Sequence, residues 1–470
     1  MTDEERPDPR DQTIDRPSDP DEDDFLPRRE LLEQIDDAID AEDGERLNTL
    51  LEPMHAADIA DLIERLDTGE RRTFLRLYSG EIDGEILSEI DEGIRDEVLE
   101  QLPRHVLTEA VREMDSDDLV DLIEDMDEPE RAEILAALDD SDRAAVQQSL
   151  AYPEYSAGRL MQSEVVTAPA HWTVGETIDF LRAEEWLPEQ FYHIILVDPR
   201  RHPVGYVALG RLLSSPRGTP LGQITEASFR PVSAYAEEGD VAYAFNQYHL
   251  ISAPVVDADD RLVGVITIDD AMAVMDEEHQ EDILRLAGVG DESSLSDTVW
   301  KTSRQRVPWL ATNIVTALFA ASVIAQFEGA IVRLVALAVL MPIVASMGGN
   351  AGTQTLTVAV RGLATKSLTA SNTWRVVRRE ATVGLLNGLI FATIMGLVTY
   401  AWFHDPLLGM VIAMAMIINL FVAAVAGILV PLALERLGAD PALASGTFVT
   451  TVTDVVGFFA FLGLASTVLL

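Results

Sequence analysis

The sequence predicts a multidomain protein: an α-helical, solenoid-like N-domain, an α/β module of two repeats, and an α-helical transmembrane bundle of five helices. Three observations predict it. The first is a split in charge. From residue 301 to 470 ten bases stand against six acids, a net of +4, whereas the first 300 residues hold 24 bases against 74 acids, a net of −50. Two solvents are implied, water for the first part and lipid for the second. The second observation is a set of short amphipathic blocks before residue 156, and the third is five long apolar runs after residue 306.

Residues 1–27 are rich in Asp, Glu and Pro with almost nothing to bury, which predicts a disordered acidic tail. Its opening, MTDEERPDPRDQ, is polar and acidic, unlike a signal peptide. Residues 28–156 form the predicted helical N-domain. Blocks such as ADIADLIERL from Ala57 and DDLVDLIEDM from Asp117 place apolar residues at i, i+3 and i+4. The segments PMHAADIADLIERLDTGERRTFLRLY and EMDSDDLVDLIEDMDEPERAEILAAL resemble each other, as stacked helical hairpins do.

Residues 157–276 also repeat, with mixed texture. Each copy reads as a short strand, a helix, an apolar strand (HIILVD, APVVDA), a turn, and a strand that runs into a helix (VGYVALGRL, VGVITIDDA). This resembles a tandem cystathionine-β-synthase (CBS) module. The resemblance implies an adenine nucleotide such as ATP, with Thr267 and Asp270 holding the ribose. The same two residues are also ordinary helix starters. Residues 277–306 predict an acidic connecting helix that ends in a basic approach to the membrane at Lys301, Arg304 and Arg306.

The transmembrane part is 307–470. Val307–Phe327, Ile331–Met347, Ala381–Phe403, Leu407–Leu434 and Ala442–Leu470 are apolar and long enough for about 30 Å of hydrocarbon. Lys and Arg in short loops orient the bundle. Lys301, Arg304 and Arg306 precede the first span, Arg361 to Arg379 separate the second and third, and Arg436 separates the fourth and fifth. All fall on one side if the N-terminal domains are cytoplasmic and the C-terminus is extracellular. The expected location is the cell membrane, multi-pass, in contact with lipid.

Composition excludes several functions. Without cysteine there are no disulfides or thiolate sites. A net of −50 repels phosphate, so no nucleic acid is expected as a partner. Only Lys301 and Lys366 are lysines amid very many acids, which suits a halophile-like source, where molar salt screens charge to within about 3 Å. Most acids are then surface groups. No Ser-His-Asp, zinc or phosphate-loop pattern appears, so the chain does not read as an enzyme.

Two features of the spans carry chemistry. Met341–Ala364 reads MPIVASMGGNAGTQTLTVAVRGLA, dense in small residues around Asn350. Such a stretch lets helix backbones approach, and amides at membrane depth must face protein or water. The plain alternative is a packing seam. Asp454, in GTFVTTVTDVVGFF, is the only charge between Asp440 and residue 470. A carboxylate within a span costs about 2.5–3.5 kcal/mol on insertion scales and so marks a functional site, unless it is kept protonated or hydrogen-bonded between helices. Thr450 adds an oxygen nearby. No histidine lies in a span, which disfavours zinc or copper and favours a hard divalent ion.

PIVASMGGNAGTQTLTVAVRGLAT together with VTTVTDVVGFF resembles the MgtE magnesium transporters, and the domain order extends the resemblance over nearly the whole chain. It implies a homodimeric, Mg2+-selective, channel-like transporter that imports Mg2+. Its pore is lined by the second and fifth spans, with the ion at Asp454 and with Asn350 and Thr450 beside it. In place of the Asn or Pro that the family carries shortly before this aspartate, Gly446 and Thr447 stand here. The resemblance also implies closure by cytosolic Mg2+ bound to acidic surfaces. The candidates are Asp117, Asp118 and Asp121 on the N-domain, Asp270 at the end of the CBS module, and Glu278, Glu281 and Asp282 on the connecting (plug) helix. Other divalent ions, Co2+ or Mn2+, remain alternatives for the cargo, and a CBS-containing membrane sensor without transport is the alternative from a different class.

Overall fold

Acidic amphipathic segments too short to stand alone bury their apolar stripes against one another, and that is how the chain begins. The computed structural model describes residues 29–78, 82–124, 126–184, 186–188, 190–226, 229–289, 299–442 and 445–470. The tail expected over 1–27 lies outside the described residues. Two units are distinguished, Met1–Tyr235 with Pro254–Val265, and Ala236–Ala253 with Ile266–Leu470.

In the first unit, short helices run from α1 (Arg29–Asp40) to α10 (Asp140–Ser149), ten among the described residues. Ile35, Leu47, Ile63, Phe74 and Ile90 share one core, and Leu119, Ile123, Ile134 and Val146 another. The repeat seen in sequence has a structural counterpart in two arginines. Arg71 in α4 (Thr68–Tyr78) donates from Nε to the Ile63 carbonyl at 2.9 Å and from Nη2 to that of Leu66 at 2.9 Å, at the end of α3 (Ala56–Arg65). At the equivalent place Arg131 in α9 (Glu128–Ala137) donates to Ile123 at 3.1 Å and Met126 at 3.0 Å, at the end of α8 (Ser116–Glu124). The last carbonyls of a helix have no partner within it, and a guanidinium fork reaching back supplies one.

The same unit continues into the first α/β repeat. Ser116 donates to Glu164 at 2.8 Å and Arg159 pairs with Glu124 at 2.8 Å. β1 (Thr167–Pro169), α11 (Val174–Ala183), β2 (His193–Val197), β3 (Pro203–Ala208) and α12 (Leu209–Ser214) follow in order. β1 pairs parallel with β2, and β2 antiparallel with β3. Ile194, Ile195 and Leu196 are buried, as an unbroken apolar strand covered on both faces requires. β4 (Val232–Ser233), β5 (Ser252–Val256) and β6 (Leu262–Thr267) make the second sheet, with Val232 opposite Val255.

The second unit holds α13 (Glu238–Tyr248), α14 (Ile268–Ala287) and the membrane helices. A Thr267/Asp270 capping box starts α14, and Gly288, at φ +71°, ends it in the left-handed conformation that favours glycine. Among the described residues five helices have the length and apolar character to cross a membrane: α15 (Val299–Ala325), α17 (Ala336–Ala364), α18 (Thr373–Phe403), α19 (Pro406–Arg436) and α20 (Ser445–Val468). A short α16 (Glu328–Arg333) lies between α15 and α17.

The second span differs from the one read in sequence, Ile331–Met347. The chain breaks after Arg333, which leaves that charge outside the long helix, and α17 then runs without interruption through Gly348, Gly349 and Gly352 to Ala364. Glycine inside a helix costs about 1 kcal/mol relative to alanine. Close contact offsets that cost here, since an added Cβ on Gly352 would stand 2.6 Å from Val449 of α20. Of the five, α19 is the most enclosed. Leu310, Phe319, Leu386, Ile390 and Leu397 of α15 and α18 are exposed, an apolar surface suited to lipid.

Candidate functional site

α17 and α20 run antiparallel in contact. An added Cβ on Gly349 would meet Thr450 at 3.8 Å, one on Gly352 would meet Thr453 at 3.5 Å, and Gly446 faces Leu356 at 3.9 Å. This register places Thr450 and Thr453, close to Asp454 on α20, against the glycines that flank Asn350 on α17. The sequence segments GGNAGTQ and TTVTD, nearly a hundred residues apart, therefore share one seam between helices.

Asp454 is half-buried, and among the described residues no hydrogen bond or ion pair engages its carboxylate. Thr450 is also half-buried, and its hydroxyl turns back to the Gly446 and Thr447 carbonyls, both at 3.0 Å. Its lone pairs stay available, because a hydroxyl that donates still accepts. Asn350 is exposed on the single chain, as are Thr353 and Gln354. Thr447, standing where the family pattern has Asn or Pro, donates to Asn313 of α15 at 3.0 Å. Among the described residues no three His, Asp or Glu side chains converge to hold a metal. One chain thus supplies one carboxylate, one amide and hydroxyls.

A second group of acids gathers in the same unit where α14 meets the loop after α19. Arg285 bridges Glu281 at 2.9 Å and Asp440 at 2.6 Å. Burial first, then the like charges of Asp440 and Glu278, push the Asp282 carboxyl above the ordinary range. Three of the four acids here, Glu278, Glu281 and Asp282, were singled out from sequence. Asp440 was not: in GADPA it reads as a turn residue, and it does accept from Ala442 N at 2.7 Å. Its proximity to α14 depends on a partner 155 positions away.

The remaining candidates are placed as follows. Asp270 accepts from Thr267 N at 3.2 Å and from the Thr267 hydroxyl, so both side chains are engaged at the start of α14. In the first unit, Asp117 is buried and accepts from Asp118 N at 3.0 Å, Asp118 is half-buried, and Asp121 is exposed and paired with Arg95 at 2.9 Å.

Five candidate spanning helices, one of them holding a carboxylate without a partner among the described residues, define a class, the multi-pass membrane proteins with a charge held in a span. Comparison with known proteins makes it particular. Residues 341–464 match the family described as divalent cation transporter, residues 54–155 the MgtE intracellular N domain, and residues 230–277 the CBS domain. The magnesium transporter MgtE of Enterococcus faecalis is 35% identical over 321 residues, 68% of this chain and 71% of that protein. Those of Thermus thermophilus and Bacillus subtilis are 33% and 31% identical over the same shares. This chain belongs to the MgtE family of magnesium transporters. Among solved structures, the cytosolic domain of the Mg2+ channel MgtE in complex with ATP is similar at TM-score 0.48 and 29% identity, covering 52% of this chain and 99% of that one. The soluble part of a magnesium transporter is similar at TM-score 0.47 and 24% identity, covering 53% and 98%.

Proposed function

We propose that two copies of this chain form a channel-like transporter that brings Mg2+ into the cytosol across the cell membrane. Its ion site is Asp454 with Asn350 and Thr450, between α17 and α20. The observation that carries this reading is Asp454, a half-buried carboxylate without a partner among the described residues, on a spanning helix packed against the glycines that flank Asn350. A charge kept there at a cost of kilocalories has a use, and a hydrated cation supplies the missing partner. Mg2+ asks for an octahedron of oxygens and gives up water reluctantly. Two Asp454 carboxylates across a dimer axis would hold such an ion largely through its waters, with Asn350 and Thr450 accepting or donating to the same shell. The lack of imidazole and thiolate disfavours softer metals.

Closure at high cytosolic Mg2+ is the second part of the proposal. Glu278, Glu281 and Asp282 on α14 stand near Asp440 in the membrane unit, and like charges held together favour a divalent ion among them. Basic loops on one side support cytoplasmic N-terminal domains and an extracellular C-terminus. An adenine nucleotide at Thr267 and Asp270 would have to displace or share their capping bond.

The test is Mg2+ uptake by liposomes containing the full chain, with Mn2+, Co2+ and Ca2+ as competitors. Uptake blocked weakly by the other three supports the reading. Flux that prefers Mn2+ or Co2+ reassigns the cargo, and no flux of any divalent ion leaves a membrane sensor.

A further inference from the structure

Between the two helices of the proposed ion path sits a residue that the reading above does not use. Asn419 of α19 is fully buried. Its Nδ2 donates to the Val344 carbonyl of α17 at 2.8 Å, and its Oδ1 is buried without a hydrogen-bond partner. Glycines face this amide from both sides. An added Cβ on Gly348 of α17 would collide with it, and one on Gly457 of α20 would stand 2.7 Å from Nδ2 and 3.2 Å from Oδ1. Leu420, Ala415, Met416 and Ala423 surround it on its own helix, all buried and apolar.

We infer that Asn419 is a positioning residue, a spacer that fixes the separation and register of α17 and α20 and thereby the distance between Asn350 and Asp454. This rests on the ion path proposed above. The reasons are geometric and energetic. Gly348 lies two positions from Asn350, and Gly457 three positions from Asp454. The amide thus touches both helices within a turn of the residues that would meet the ion. A leucine would fill the same space without leaving an acceptor unsatisfied in an apolar core. A polar group kept at such a place, bonded across helices, specifies one arrangement over others. The Val344 carbonyl lies one turn before the Gly348–Gly349 pair, and glycine pairs are where helices bend. The bond to Val344 braces the turn that leads into that pair.

The experiment separates amide from volume. Asn419→Leu keeps the bulk and removes the bond. Asn419→Ala with Gly348→Ala takes the carboxamide from α19, adds a methyl group on α17 and also removes the bond, which guards against a leucine variant that fails to assemble. Each is reconstituted as the full chain, checked for assembly by size exclusion, and assayed for the Mg2+ dependence of flux and for the Mg2+ over Mn2+ preference. We expect assembled protein with flux lowered roughly tenfold or more, because misplacement of an ångström at a site has that order of effect, and with the preference for Mg2+ reduced. Parent-like flux and preference in either assembled variant overturns the spacer role. The chain has no native cysteine, so a Gly349→Cys/Thr450→Cys pair reports the helix spacing directly through its oxidation rate. In the Asn419→Leu background that rate should change; an unchanged rate overturns the inference. If the parent carries no Mg2+, the proposed function fails and the spacing claim is judged by the oxidation rate alone.

Discussion

Arg71 illustrates how much one side chain holds in an acidic protein. It is 3% exposed, donates to three carbonyls at the end of α3, and meets Glu97 at 2.6 Å. Arg71→Ala strands those acceptors and should destabilise the helical N-domain by about 3 kcal/mol. Hydrogen exchange of α3 and α4 in the full chain would read the loss, and unchanged protection would contradict it. Asp282 gives a pH dependence whose sign follows from its raised carboxyl. A group raised in the docked state favours its neutral form, so its contribution is complete below the ordinary carboxylate value and is lost as pH rises through its own raised value. Without divalent ions, acidification from neutral pH should slow proteolysis of α14, and Asp282→Asn should flatten that dependence. A parent cleavage rate indifferent to pH would count against it. At this scale Asp454 was legible in sequence, because it is a lone charge in an apolar run. Arg285, Asp440 and Asn419 were not, because what each does is set by a partner on an element far away in the sequence.

Among elements, α14 and α17 are the instructive ones. α14 is one helix from Ile268 to Ala287, so the last helix of the second α/β repeat runs on into the beginning of the connecting segment expected over 277–306, of which 290–298 lies outside the described residues and 299–306 belongs to α15. Arg285 already supplies one positive charge between Glu281 and Asp440. Arg285→Gln should therefore leave α14 more dependent on Mg2+ and raise the Mg2+ concentration that protects it from protease. K+ at equal ionic strength should not substitute, in the parent or the variant. Protection by KCl alone would make these acids solubility devices of a salt-adapted surface. The helical, α/β and spanning regions were legible from periodicity and hydropathy, because those patterns survive in any context. The course of α17 was not. The span read from sequence stops at Met347, just before its three glycines, and only contact with α19 and α20 shows that they admit Val449, Thr453 and the Asn419 amide.

For the whole molecule, the incompleteness of the site is the main fact. One carboxylate and an outward-facing asparagine cannot surround an ion, which is why the proposal requires a second copy. Native mass spectrometry in mild detergent should find a dimer; monomers alone would remove the proposed ion path. The large negative charge of the first 300 residues would suit a salt-rich solvent and says little about which ion is bound in the spans. The carboxylate at membrane depth is different, because nothing in lipid rewards it. The most direct measurement is Mg2+ flux through liposomes containing the parent, Asp454→Ala and Asp454→Asn. Both variants should assemble as the parent does, since removing an unpaired charge from a bundle does not weaken it. Asp454→Ala should carry no Mg2+, and Asp454→Asn, which keeps the shape without the charge, should lose most of its preference for divalent ions. Parent-like Mg2+ flux in both would make Asp454 a packing residue and put the path elsewhere.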